Sequence, residues 1–154
     1  MPAGSDPAAV ALPRTWRPLG PRVAAAVSVG VLLLIMVFLW LGFDAETRAS
    51  VTTFQRGTVI ALMLLGFATL YALIRSRVDA EMDKLIVVNG YRRHEYSWAE
   101  IVAVRMPPGA PWATLDLADG TTVSALAIQS SDGARARRAV RQLKWLVDRP
   151  HGDG

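Results

Sequence analysis

Two long apolar segments constrain this chain more than any other feature of its sequence. Residues 23–43 form a run of 21 uncharged, mostly apolar side chains, and a second such run covers residues 57–74. Because an α-helix rises about 1.5 Å per residue, each run is long enough to cross a hydrocarbon core of about 30 Å, the second only just. The sequence therefore predicts a transmembrane helical hairpin over residues 23–74.

The basic residues beside the two runs predict the orientation of this hairpin. Arg14, Arg17 and Arg22 precede the first run, Arg75 and Arg77 follow the second, and the connecting loop has no net charge. Positively charged flanks stay on the cytoplasmic side, so we expect a multi-pass protein of the cytoplasmic membrane with both termini in the cytoplasm. A cleaved signal peptide is the weaker alternative, because the first run exceeds the usual apolar length of a signal and no clear cleavage site follows it.

The polar remainder is predicted to form two tails and one domain. We expect residues 1–22 to be a disordered basic tail, residues 75–150 a single small cytoplasmic domain, and residues 151–154 a second disordered tail. Residues 75–154 carry 12 basic and 10 acidic side chains, a balance that nearby anionic lipid explains without a nucleic-acid partner. The chain has no cysteine, which excludes disulfides, thiolate metal sites and cysteine nucleophiles.

Alternating polar and apolar residues predict antiparallel strands in the first part of the domain. Turn signals at Asn89-Gly90 and Asp119-Gly120 each lie between two such stretches and predict two β-hairpins. We expect a three-residue loop in both, because a two-residue loop in the second would set its leucines opposite Ser and Thr. The pairs that follow are Val87 with Tyr91 and Leu115 with Val123.

A basic amphipathic helix is predicted to close the domain. Apolar residues recur at helical spacing between residues 132 and 148, with Asp132 or Ser131 as the N-cap. Trp98, at the corner before a further strand, is expected to fill the core. Five or six antiparallel strands followed by one helix predict an α+β fold, in which the helix closes one end of a strongly bent sheet.

The same stretches resemble the bacterial pleckstrin-homology-like (PH-like) domain. The most specific element is the corner Trp98-x-Glu100-Ile101 downstream of two predicted membrane spans. Over residues 14–148 the chain is similar to short actinobacterial membrane proteins of the low-molecular-weight protein antigen type. The resemblance implies a PH-like barrel or half-barrel capped by a C-terminal helix, without enzymatic activity. The other stretches that carry it are residues 85–90, residues 115–120 and the closing helix.

Residues suited to catalysis or metal binding are few. Asp79, Glu81 and Asp83 share one face of their strand, where they form either a metal or acid/base cluster or, as we expect, the solvated side of an edge strand beside Arg77. His94 has no acid or nucleophile placed to use it. We therefore predict that the protein is not an enzyme and has neither a metal site nor a cofactor.

The absence of such chemistry favours an interaction module that binds a protein or peptide partner through a sheet edge or a stiff Pro-rich loop. The predicted partner loop contains Met106, Pro107, Pro108 and Trp112. One alternative is recognition of anionic lipid or a small ligand at the membrane surface, where each basic residue contributes about 1 kcal/mol. Another is a role as accessory subunit of a larger membrane complex. The basic residues predicted to face lipid are Arg75, Arg77, Arg92, Arg93, Arg137, Arg138, Arg141 and Lys144.

Small residues in the two apolar runs allow helices to approach closely. Ala26 and Gly30 lie in the first run, and Gly66 lies among alanines in the second. We expect them to pack the two helices against each other; the alternative is the interface of a homo-oligomer.

Overall fold

The computed structural model describes residues 10–149 and separates the chain into two compact units. Residues 21–74 form a helical unit, and residues 10–20 join residues 75–149 in a second unit, the β-rich domain. The helices of the hairpin are α1 (Gly20–Gly42), the short α2 (Ala45–Ser50) and α3 (Thr53–Arg75). The elements of the domain are β1 (Arg14–Trp16), β2 (Arg77–Ala80), β3 (Lys84–Asn89), β4 (Arg92–Ser97), β5 (Ile101–Arg105), β6 (Trp112–Leu117), β7 (Thr122–Gln129) and the helix α4 (Ala134–Val147).

The strands form two antiparallel sheets, which confirms the predicted α+β architecture. The first sheet has the order β1-β2-β3-β4 and the second the order β5-β6-β7. Within the described residues the two ladders do not close into a barrel, so the domain is a half-barrel capped by its C-terminal helix. Asn89 links the sheets, because its amide nitrogen donates to the carbonyl oxygen of Ser124 and its amide oxygen accepts from the backbone N–H of Leu126 at 3.1 Å.

The core lies between the inner faces of the sheets and one face of α4. Trp98 fills the corner before β5 as predicted, and its indole N–H donates to the carbonyl oxygen of Glu81 at 3.2 Å. Complete burial of a leucine or isoleucine side chain stabilises a fold by about 1.5–3 kcal/mol. The largest buried apolar side chains of the cluster include Leu85, Leu115, Ile128, Leu143 and Leu146.

The segment before α1 differs from the disordered tail predicted for residues 1–22. Its strand β1 pairs with β2, with Trp16 opposite Val78, and so extends the first sheet. The indole of Trp16 is buried, and its N–H donates to the side-chain oxygen of Gln142 on α4 at 3.1 Å. The helical hairpin is therefore inserted in the sequence between two neighbouring strands of one sheet. The rest of the predicted tail, residues 1–9, and the end of the chain from residue 150 lie outside the described residues.

The two hairpin turns differ, although the sequence predicts the same loop for both. In the second, Leu115 pairs with Val123 and Gly120 has a left-handed φ of 84°, as predicted. In the first, Asn89 pairs with Arg92, so the loop has two residues and the predicted register is wrong. Hydrogen bonds to β7 fix the position of the Asn89 side chain at this turn. Because β7 lies more than 30 residues further along the chain, the local sequence pattern could not predict them.

Helix α4 starts later than predicted. Gly133, with φ of 53°, precedes its first turn, and no side chain caps it. The predicted N-cap Asp132 instead accepts hydrogen bonds from the backbone N–H groups of Leu19 at 3.0 Å and Gly20 at 2.7 Å. The carboxylate thus ties the end of the β1 segment to the beginning of the α4 region within the domain.

Helices α1 and α3, with 23 residues each, are long and apolar enough to cross a membrane. The guanidinium of Arg22 donates twice to the carbonyl oxygen of Ile74, at 3.2 and 3.0 Å, and so joins the two ends of the hairpin. Gly30 and Gly66 do not lie at a close approach of the two helices, because a Cβ added at either would meet no described atom of another element within 4 Å. Ala25 is the one residue of the two helices that is buried.

Candidate functional site

A groove of about 460 Å³ lies between the loop that joins β5 to β6 and the first half of α4; we call it the loop–helix groove. Clefts that bind ligands commonly have volumes of about 300–1,000 Å³. The groove unites part of the predicted partner loop with part of the predicted basic patch. Its lining residues are Met106, Pro107, Pro108, Gly109, Ala110, Ser130, Gly133, Arg137, Val140 and Arg141.

Backbone hydrogen bonds hold the loop wall of the groove. The N–H of Ala110 donates to the carbonyl oxygen of Pro107 at 3.0 Å and closes a tight turn, in which Gly109 has a φ of 85° that favours glycine. The loop is also tied to the end of β7, because the backbone N–H and the hydroxyl of Ser130 both donate to the carbonyl oxygen of Pro111, at 3.0 and 3.3 Å. A wall fixed in this way loses little conformational entropy when a ligand binds.

The wall formed by α4 combines apolar surface with positive charge. Val140, which lines this wall, is buried, and Met106, which also lines the groove, is half-buried. Arg137 and Arg141 are exposed, and their spacing of four residues places them on one side of the helix. Neither guanidinium forms a salt bridge within residues 10–149.

Four basic residues of the sheets form salt bridges, whereas Arg137 and Arg141 in the groove, like Arg92 on β4, form none within residues 10–149. The hydrogen bond from Lys84 lowers the pKa of the Glu95 carboxyl below its ordinary value of 4.5, and the same bond raises the pKa of Lys84. These charged side chains lie around Ile86 and Val88, which are buried although they lie outside the main core. The pairs are Arg77 with Asp79 at 2.8 Å, Lys84 with Glu95 at 2.9 Å, Arg93 with Glu95 at 2.6 Å, and Arg105 with Asp116.

The structure divides the residues predicted as sites. Of the partner loop, Met106, Pro107 and Pro108 line the groove, whereas the indole N–H of Trp112 donates to the hydroxyl of Ser124 at 3.1 Å and does not line it. Of the basic patch, two residues line the groove and two pair with carboxylates on the first sheet. The remaining four are exposed and line no part of the groove: Arg75, Arg92, Arg138 and Lys144.

Groups with catalytic potential are separated. His94 is exposed on β4, where its ring stacks on Tyr96 with 6.3 Å between the centroids. The strand of Asp79 is not an edge strand as predicted, since β2 lies between β1 and β3, and Asp79 pairs with Arg77. In the described part of the chain, no three His, Asp or Glu side chains come together in a way that could hold a metal ion.

Ser130 and Gly133 line the groove although they lie outside both the predicted partner loop and the predicted basic patch. Both belong to the run Ser-Ser-Asp-Gly before α4, a composition typical of turns. That composition indicates a tight connection between β7 and α4. It does not predict that this connection contacts the loop between β5 and β6, which lies about 20 residues earlier in the chain. The hydrogen bonds to Pro111 are the contacts that bring the two segments together.

Comparisons with known proteins agree with this architecture. A family model described as bacterial PH domain matches residues 75–144. The relatives include uncharacterized protein Rv1417 of Mycobacterium tuberculosis strain H37Rv and uncharacterized protein Mb1452 of Mycobacterium bovis. Each is 30% identical over 141 residues, which cover 90% of this chain and 88% of the relative. The chain belongs to an actinobacterial family of PH-like domain proteins. No solved structure matches it.

The PH-like domain of this chain extends beyond the segment that the family model matches. The match begins at residue 75, whereas β1, which completes the first sheet, lies before the helical hairpin. The groove lies within the matched segment. PH-like domains are generally non-catalytic, so membership of this family suggests an interaction module.

Proposed function

We propose that this PH-like protein is a non-enzymatic, membrane-anchored module that binds a protein or peptide partner at the cytoplasmic face of the membrane. The observation that carries the proposal is the loop–helix groove. It combines a stiff wall, an apolar lining and two arginines without an ion-pair partner, and these features together fit a ligand better than solvent.

The membrane location rests on α1 and α3, whose length and composition fit a bilayer. The basic residues on both sides of the hairpin favour a cytoplasmic domain, since positive flanks stay inside. A reporter fused to the C-terminus should therefore be active only inside the cell, and the same reporter in the loop between α1 and α3 only outside. Activity of the C-terminal fusion outside the cell would overturn this placement.

Site-specific crosslinking in intact cells tests the partner. A photo-reactive residue replaces Pro108 in the groove wall, and a matched variant carries it at Met82, an exposed position in the turn between β2 and β3 that does not line the groove. We expect a discrete crosslinked protein with the first variant and a clearly weaker product with the second. Crosslinks to lipid alone, or equal protein crosslinks at both positions, would contradict the proposal.

Anionic-lipid recognition is a second candidate, which one observation supports. Arg135, Arg138 and Lys144 on α4 are exposed, and none forms a salt bridge within residues 10–149. Such a helix binds an anionic surface in a salt-dependent manner. Binding of the full chain, in micelles of nonionic detergent, to beads coated with anionic or neutral lipid headgroups would separate this function from peptide binding, because the lipid candidate requires retention on the anionic beads alone.

A further inference from the structure

We infer that the loop–helix groove takes an acidic peptide segment, in which a carboxylate faces Arg137 and Arg141 and a neighbouring apolar or proline side chain lies against Met106 and Val140. This inference rests on the proposed function and names the chemistry of the partner.

The first argument is the distribution of charge. On the sheets, the cations Arg77, Lys84, Arg93 and Arg105 each have a carboxylate partner. On the groove side of α4, two guanidiniums one turn apart have none within residues 10–149, and like charges at this spacing repel each other. A bound carboxylate would relieve that repulsion, and the planar guanidinium is suited to hold it through two parallel hydrogen bonds.

The second argument is the apolar part of the lining. Met106, Pro107 and Pro108 present apolar surface in the loop wall, and the mostly buried Val140 lines the wall formed by α4. Methionine adapts to side chains of different shape, and a fixed loop reduces the entropy lost on binding. The phosphate of a lipid headgroup would bind the two guanidiniums but leave the apolar part of the groove without a contact. A peptide with an acidic residue next to an apolar one would bind the guanidiniums and also cover the apolar part. A peptide is therefore favoured over a lipid headgroup.

The experiment uses the full chain in micelles of nonionic detergent. The probe is a displayed library of short peptides with a fixed Glu-Leu-Glu centre and random flanks, and the control library carries Gln-Leu-Gln instead. We expect enrichment from the acidic library and at least about tenfold weaker binding of the matched neutral peptides, as loss of a charge-assisted contact predicts. Binding that is equal for both libraries would overturn the inference.

Two double variants locate the site. Arg137→Glu with Arg141→Glu should abolish binding of the selected acidic peptides. Arg135→Glu with Arg138→Glu changes the net charge by the same amount on the same helix but outside the groove lining, and should leave the affinity within about twofold. Urea unfolding of each variant verifies that the domain is folded. Equal loss in both variants would show that total charge, not the groove, holds the peptide, and would overturn the inference.

Further outcomes separate this inference from the function on which it rests. If neither library binds while the crosslinker at Pro108 still captures a protein, the acidic-peptide inference fails and the interaction module stands. If no peptide binds and the groove variant in micelles loses binding to beads coated with anionic lipid headgroups while the control variant keeps it, the groove is a lipid site and both fail.

Discussion

Replacement of Trp16 by alanine tests whether the segment before the first long helix belongs to the folded domain. Trp16 is 8% exposed, and its N–H donates to Gln142 at 3.1 Å. Removing a buried aromatic side chain costs about 3–5 kcal/mol, which includes the cavity left behind. Since a small domain has a total stability of about 5–15 kcal/mol, we expect Trp16→Ala to shift the unfolding midpoint strongly or to unfold the domain.

Urea unfolding of the full chain in nonionic micelles, followed by circular dichroism, measures this change. The two long helices keep their hydrogen bonds in the apolar interior of the micelle, so the change in signal reports unfolding of the β-rich domain. Trp16→Phe keeps the aromatic ring and loses the hydrogen bond, so its cost should be smaller, about 1–2 kcal/mol. Thr15→Ala, at an exposed position on the same strand, is the control and should stay within about 0.5 kcal/mol. A cost below about 1 kcal/mol for Trp16→Ala would refute the assignment of β1 to the domain.

Three further changes test individual contacts. Asn89→Ala should lower the free energy of unfolding by about 1–3 kcal/mol, because two backbone groups of β7 lose their partner; a cost near zero in urea unfolding would contradict the link between the sheets. Asp132→Ala removes the acceptor for two backbone N–H groups and should cost about 1–2 kcal/mol by the same assay, with Asp132→Asn retaining part of it. Lys84→Met should move the pKa of Glu95 up towards 4.5, visible in an NMR titration, since the hydrogen bond from Lys84 is the main cause of the lowered value. The lowered pKa means that this contribution to stability is present above the ordinary Glu value and is lost as the pH falls below it; an unchanged pKa would contradict the assignment.

Local patterns predicted those parts of the structure that local forces determine. The alternation of polar and apolar residues, with a left-handed glycine in the turn, correctly predicted the register of the second hairpin. The position of Trp98 before a strand correctly predicted that its side chain is buried in the core. The strand β1 has three residues, too few for a period, and Trp16 beside an apolar run is equally typical of a membrane interface. Its pairing partner lies beyond the whole hairpin, so no window of sequence contains both.

The two walls of the candidate site were predictable from the sequence, but the contact that brings them together was not. A Pro-rich loop and a basic helix are visible in the sequence, but each alone is an ordinary surface feature. The loop and the helix are brought together by the hydrogen bonds of Ser130 to the carbonyl oxygen of Pro111. These bonds join two segments that lie about 20 residues apart, so no local sequence pattern predicts them. The salt bridge between Arg105 and Asp116 likewise depends on strand register, because the two residues lie on neighbouring strands. The pair Arg93 and Glu95 does not, because both residues lie two positions apart on β4.

The insertion of the hairpin between β1 and β2 has a consequence for folding. The pair Trp16 and Val78 joins residues separated by about 60 positions, and closing a flexible loop of that length costs about 3–4 kcal/mol. The hairpin lowers this cost, because the guanidinium of Arg22 donates to the carbonyl oxygen of Ile74 and holds the two ends of the inserted segment together. The first strand can thus add to its sheet at little entropic cost once both long helices are in place. Formation of the complete first sheet is therefore coupled to formation of the hairpin, which makes the two long helices part of the folding unit.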